Sequence, residues 1–196
     1  MENDGKEDYL IPNYQRAPVK FVRGQGSTLV DSDDNKYLDC LSGIAVCGLG
    51  HAHPELAHVL SEQAKNLWHT SNLYRVELQE SLASSLSEIT KQKRVFFCNS
   101  GAEANEAAIK LAKKYGNDKG IKAPIIVSMN GSFHGRTMAT LSATGNPKVH
   151  SGFSPLLQGF KHIDYDSAEE AARVIQARDV VAILVEPIQG EGGIVV

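Results

Sequence analysis

The spacing of apolar residues changes twice along the chain. Residues 19–38 carry short β-prone pieces between turn formers: Val19-Lys20-Phe21-Val22, Gly24-Gln25-Gly26, Thr28-Leu29-Val30, a polar run over 31–35, and Lys36-Tyr37-Leu38. That pattern predicts a small antiparallel meander with turns at 24–26 and 31–35. After His53-Pro54 the repeat lengthens to three and four, which predicts helices over 54–69 and 76–89, the second with Leu78, Leu82, Leu86 and Ile89 on one face.

Beyond residue 93 the two periods alternate: strand 94–98, helix 102–115, strand 125–128, helix 134–143, strand 159–163, helix 167–177 and strand 180–185. The fold class is therefore α/β, a mostly parallel sheet with flanking helices, preceded by the meander. In such sheets ligands collect beyond the carboxyl ends of the strands.

Polar clusters follow three of those strands. Asn99-Ser100-Gly101 turns into an alanine-rich helix whose first amides lack partners, a place suited to a phosphate and equally to an ordinary helix cap. The second cluster is Gly131-Ser132-Phe133-His134-Gly135-Arg136-Thr137, where Phe133 offers a ring face and Arg136 a fork for a carboxylate. By spacing alone, Phe133 could as well plug the core and Arg136 pair with a helix end. Glu186 closes the apolar run 180–185 and opens the third cluster, which continues through Gln189 and Glu191. Its carboxylate either serves a ligand or makes a structural ion pair.

Bulk properties narrow the classes. A net charge of -3 without a basic cluster gives no electrostatic footing for nucleic acid or an anionic membrane. The acidic first ten residues do not look like a secretory leader, and the longest apolar run, 180–185, is too short to span a bilayer, so a cytoplasmic protein is expected. Cys40, Cys47 and Cys98 form no C-x-x-C pair and read as small core residues. His51, His53, His58 and His69 lack a completing cysteine or carboxylate, so no metal site is expected. Signatures of serine hydrolases, P-loops and dinucleotide folds are absent.

Several stretches, in order along the chain, carry a family resemblance: Tyr37-Leu38-Asp39, Gly43-Ile44-Ala45-Val46, Leu49-Gly50-His51-Ala52-His53-Pro54, His69-Thr70-Ser71-Asn72-Leu73-Tyr74, the run from Asn99 to Ala112, Phe133 to Thr137, and Val185 to Gly193. The chain resembles the class III pyridoxal-phosphate aminotransferases, and among them the members that act on N-acetylornithine. The resemblance implies a fold-type I aminotransferase-like fold, with residues 1–60 contributing to a small domain and 61–196 forming the first part of the large domain that binds pyridoxal 5'-phosphate. It implies that Ser100, Gly101 and Ala102 hold the cofactor phosphate, that Phe133 stacks on its ring with His134 beside it, and that Glu186 supports the catalytic centre. Arg136 would clamp the substrate α-carboxylate, Glu191 would pair with an arginine later in the family sequence, and Ile44 would suit an acetylated amine where ornithine aminotransferases carry tyrosine.

The implied reaction is amino transfer from N2-acetyl-L-ornithine to 2-oxoglutarate, giving N-acetyl-L-glutamate 5-semialdehyde and L-glutamate in arginine biosynthesis, by a homodimer. Ornithine or another ω-amino acid is the alternative donor. Complete members are about twice as long, and the family's Schiff-base lysine has no counterpart here. Lys110 and Lys113 read as ion-pairing residues on a helix surface. The isolated chain is accordingly expected to be inactive and poorly soluble, or else to be a split fragment that joins a separate carboxyl-terminal half.

Overall fold

Strand β4 (Ile125–Met129) is paired on both edges by parallel neighbours, β5 (Phe160–Ile163) and β6 (Val180–Leu184), in the order β5-β4-β6. These strands belong to a computed structural model that describes residues 9–196; residues 1–8, part of the acidic start read above, lie outside the described residues. By contacts the chain divides after Glu77 into two units, beyond the division expected after residue 60.

Both faces of β4 are covered, because its residues alternate sides. Val127 and Met129 pack with Ile163 and Val174, the latter from α7 (Ala168–Val174). Ile126 points the other way, onto Ile109 of α4 (Gly101–Asp118) and Ala143 of α5 (Met138–Ala143). Helix α4 approaches the sheet through Gly116, where an added Cβ would lie 2.8 Å from both Pro124 and Val181. Lys113, expected on an ion-paired surface, instead donates to the Pro124 carbonyl at 3.4 Å and sits over the Phe160 ring. The i,i+4 ion pair of this helix is Lys114 with Asp118.

Helix α5 begins at Met138 rather than 134 because Thr137 and Thr140 form a reciprocal capping box. At its other end, imidazoles satisfy carbonyls that a helix leaves unpaired: His150 bonds Leu141 and Thr144, and His162 bonds Ala143. A short helix, α6 (Pro147–His150), carries the first of them.

Residues 94–98 form no strand. A strand exists by its ladder, and no described residue pairs with this run; Phe96 is 68% exposed. Cys98 and Cys40 are exposed and Cys47 half-buried, so the expectation of core cysteines is corrected; Cys98 and Cys40 flank corners, not packed elements.

In the unit before Leu78, β1 (Phe21–Gln25), β2 (Thr28–Asp31) and β3 (Lys36–Leu38) form the expected antiparallel sheet. Gly24 and Gln25 belong to the ladder opposite Leu29 and Thr28, so the first turn is tighter than expected. The second is held by buried Asp31, which accepts from the amides of Asp33 and Asn35 and from the Tyr37 hydroxyl. Helix α1 (Ser42–Ala45), which periodicity does not reveal, winds left-handed: φ is 51° at Ser42, 64° at Gly43, 62° at Ile44 and 62° at Ala45. For non-glycine residues that hand costs roughly 1–2 kcal/mol each. Helix α2 (Pro54–Asn66) of this unit and helix α3 (Glu77–Thr90), which opens the other unit, match their expected spans closely but bury no residue fully, and Leu78, Leu82 and Ile89 are exposed.

Gly116 gives a test by sign. In a helix interior Gly→Ala ordinarily stabilises by about 1 kcal/mol. Against Pro124 and Val181 the added methyl overpacks, at a cost of about 1–3 kcal/mol. Gly116→Ala should therefore lower the urea midpoint; a raised midpoint would show that α4 has room to move off the sheet.

Candidate active site at the carboxyl ends of β4 and β6

Three loops meet at one edge of the parallel sheet, and hydrogen bonds to main-chain groups hold them there. Glu186, just beyond β6, accepts from the Phe133 amide at 3.1 Å. Asn105 of α4 donates to the His134 carbonyl at 2.8 Å, and the Thr137 hydroxyl bonds the carboxylate of Glu106. Gly135, at φ 133°, passes so close to α4 that an added Cβ would sit 3.0 Å from the Ala102 Cβ. Buried Gln189 donates to the Asn130 carbonyl at 2.9 Å and ties the third loop to the second.

Ser100 caps α4, accepting from the Glu103 amide at 3.2 Å, while the Glu103 carboxylate turns back to the Asn99 amide at 2.7 Å. Among the described residues the amides of Gly101 and Ala102 have no acceptor, and a Cβ built on Gly101 meets nothing within 4 Å. Free donors, open space and the positive end of an 18-residue helix suit an anionic phosphate. The residues present therefore fit the phosphate of pyridoxal phosphate.

Phe133 is half-buried, not a core plug, and the Arg136 guanidinium lies 5.5 Å from its ring centre. Arg136 is exposed and makes no ion pair among the described residues, so its fork is available to a carboxylate. Glu186 likewise makes no ion pair there; the bond to Phe133 takes the place of the structural pair weighed above. Glu191 is exposed in the loop 190–194, which the mutual bonds of Gln189 and Val195 close. Ile44 is 80% exposed on α1, in the other unit.

His134 departs from the simplest picture. Its side chain is buried and its ring shares a hydrogen bond with Ser128 at 3.1 Å, inside the sheet, while its amide donates to Thr144. The ring thus anchors the loop from beneath, leaving Phe133 and Arg136 at its surface. The sequence analysis assigned no role to Asn105, Glu106 and Gln189, although all three lie within the motif stretches named there. The signal for the first was there: Asn105 lies four residues before buried Ile109, on the helix face turned to the sheet.

A parallel sheet with helices on its faces, preceded by a small antiparallel sheet, is the fold of the fold-type I aminotransferases, about half of which this chain covers. The chain belongs to the aminotransferase class-III family, whose description matches residues 9–196. It is 54% identical over 187 residues to the acetylornithine aminotransferase of Nitrosomonas europaea, covering 95% of this chain and 48% of that protein. The acetylornithine aminotransferase of Prochlorococcus marinus is 50% identical, with 95% and 46% covered. Among solved structures, the ornithine aminotransferase of Toxoplasma gondii superposes with a TM-score of 0.91 at 32% identity, over 96% of this chain and 45% of that one. The N-acetylornithine aminotransferase of Stenotrophomonas maltophilia does so with 0.76 at 39% identity, over 92% and 44%. The chain spans about half the length of the curated relatives it matches.

Burial first, and His162 second, hold the His134 imidazole below the usual histidine range of 6.5. The fold refuses a proton that the unfolded chain accepts, so this contribution to stability is intact above about pH 6.5 and is lost as pH falls below it. Urea midpoints measured between pH 8 and pH 5 should therefore decline on the acid side, and His134→Gln should flatten that decline. An unchanged slope in the variant would assign it to other groups.

Proposed function

We propose that this chain supplies the phosphate corner, ring contact and carboxylate clamp of a pyridoxal-phosphate-dependent aminotransferase whose amino donor is N-acetylornithine and whose acceptor is 2-oxoglutarate. The observation that carries the reading is the convergence of Ser100-Gly101-Ala102, Phe133, Arg136 and Glu186 on one sheet edge, knitted by the Glu186 bond to the Phe133 amide. Pyridoxal phosphate, when bound, supplies an electron-withdrawing ring that eases the breaking of a C–H bond beside the amine.

The chain's own residues bind and orient. Gly101 and Ala102 donate amides to the phosphate, with Ser100 at the cap; Phe133 flanks the ring; Glu186 holds the Phe133 main chain in place. His134 acts from beneath, through Ser128. Arg136 receives the α-carboxylate, for which a planar fork is better shaped than an ammonium. By the resemblance alone, Ile44 is the residue type that suits an acylated amine, and Glu191 awaits a basic partner. By family resemblance alone, the complete protein is a cytoplasmic homodimer of arginine biosynthesis, its cofactor-bearing lysine lies in the half of the relatives that this chain does not span, and residues 1–196 alone do not turn over substrate.

Identity to relatives named for acetylornithine supports the acylated donor. The higher superposition score with an ornithine aminotransferase favours the second reading, a free ω-amino acid donor. Sequence identity is the weightier of the two, because backbone shape is shared across the class while donor choice rests on side chains such as Ile44.

The phosphate corner can be tested without turnover. Proline is tolerated at the first helical position, and extended Ser100 (φ -154°, ψ 160°) accepts a following proline. Gly101→Pro thus deletes one amide donor with little effect on melting. It should weaken pyridoxal phosphate binding, read by absorbance titration, by about ten- to a hundredfold, the worth of one hydrogen bond to a charged group. Inorganic phosphate should compete; undiminished binding in the variant would remove the phosphate from this corner. In the complete protein, Arg136→Lys should raise KM for N-acetylornithine about tenfold or more, and the kcat/KM ratio of N-acetylornithine to ornithine decides between the two donors. Robust transamination by the 196-residue chain would refute the placement of the chemistry beyond it.

A further inference from the structure

Asn105 stands on the helix that carries the two open amides and bonds the loop that carries Arg136. Ala102, Asn105 and Ile109 share one face of α4, since they fall three and four residues apart. Ile109 packs with Ile126 and Ala143, which holds that face against the sheet. About one turn before it, the Asn105 side-chain amide donates to the His134 carbonyl at 2.8 Å. At the amino end of the same face, buried Gly135 passes so close that an added Cβ would lie 3.0 Å from the Ala102 Cβ. A ligand whose anion rests on the amides of Gly101 and Ala102 therefore lies beside residues 133–136.

Other bonds of this segment tie it elsewhere. The Phe133 amide goes to Glu186, the His134 amide to Thr144 and the His134 ring to Ser128. They hold the loop to the sheet and to the end of α5, and none refers it to α4. Two side chains of α4 do so. Glu106 takes the Thr137 hydroxyl in an exposed contact, at a residue that the capping box with Thr140 already fixes. Asn105 takes the carbonyl of buried His134, a group that is costly to leave without a partner. What the loop turns outward is the half-buried Phe133 ring and the exposed Arg136 guanidinium.

We propose that Asn105 is a positioning residue for the ligand: it fixes the loop 133–136 along α4, so that Phe133 and Arg136 stand in register with an anion held by the amides of Gly101 and Ala102. The identity of that ligand rests on the proposed function. The tie between helix and loop does not.

Two probes separate this role from general support of the fold. Inorganic phosphate reports on the open amides alone, and pyridoxal phosphate on the amides and the loop together. In the 196-residue chain, Asn105→Ala should weaken pyridoxal phosphate binding about tenfold by absorbance titration. Inorganic phosphate, followed by the NMR shift of the Gly101 amide, should keep its affinity to within about twofold. Asn105→Asp, of the same size but without a donor at neutral pH, should match the alanine variant, and decides by the same criteria where that variant does not fold. In a Phe133→Ala background, Asn105→Ala should add less than about twofold to the loss of pyridoxal phosphate. Lys114→Ala, which breaks an exposed ion pair of the same helix, should leave both affinities unchanged. Equal losses for the two probes, wild-type affinity in a folded Asn105→Asp protein, or about a further tenfold loss in the double variant overturns the proposal. If the wild type does not bind pyridoxal phosphate, the proposed function falls by itself. Hydrogen exchange then decides the geometric half: Asn105→Asp should speed exchange of the Phe133 and His134 amides about tenfold relative to those of 126–129, and unchanged exchange overturns the inference.

Discussion

Strand β4 is hydrogen-bonded along both edges by parallel neighbours, and most of the carboxyl-terminal unit follows from that. Parallel pairing points every strand the same way, so each return crosses a face of the sheet and both faces acquire helices. Apolar residues at 126, 127 and 129 then serve two cores at once. The same constraint sends the loops after β4 and β6 off a single edge. Because β5 and β6 lie on opposite sides of β4, the chain reverses its sense there and leaves a crevice for ligands.

What holds that crevice in shape is a set of side chains bonded to main-chain groups. Glu186 takes the Phe133 amide, Asn105 the His134 carbonyl, and Gln189 the Asn130 carbonyl. Asp31 and Asp39 do the same for the corners of the other unit. Such bonds satisfy backbone groups that would otherwise be costly to leave unpaired, and they fix the path of a loop rather than the tip of a side chain. Arg136 stays out of this network, exposed over the Phe133 ring, as the proposed carboxylate contact requires.

The layered α/β plan was legible because it is written in period: alternation for β4, β5 and β6, and a three-to-four repeat for α4. The candidate site residues were read as motifs after expected strand ends, one of which, 94–98, is no strand, and the roles proposed for them come from the class III resemblance. What escaped depends on partners that period does not encode. Residues 94–98 have every local preference of a strand but no ladder. Lys113 looks like a surface lysine until Pro124 and Phe160 come beneath it. His134 sits in a loop motif, yet the fold turns its ring inward to Ser128. The left-handed α1 is least visible of all, since Ser42, Ile44 and Ala45 carry no preference for it; Asp39 accepts from the amides of Leu41 and Ser42 at its start.

Ser100 and Glu103 cap α4 with the chain's own oxygens and still leave two amides without acceptors among the described residues. An anion arriving there meets donors whose orientation was settled when the helix formed, so the ordering entropy is a cost of folding and not of association. The Glu103 carboxylate in the same turn is itself taken up by the main-chain and side-chain amides of Asn99, so the capping that builds the corner leaves its two open donors uncontested.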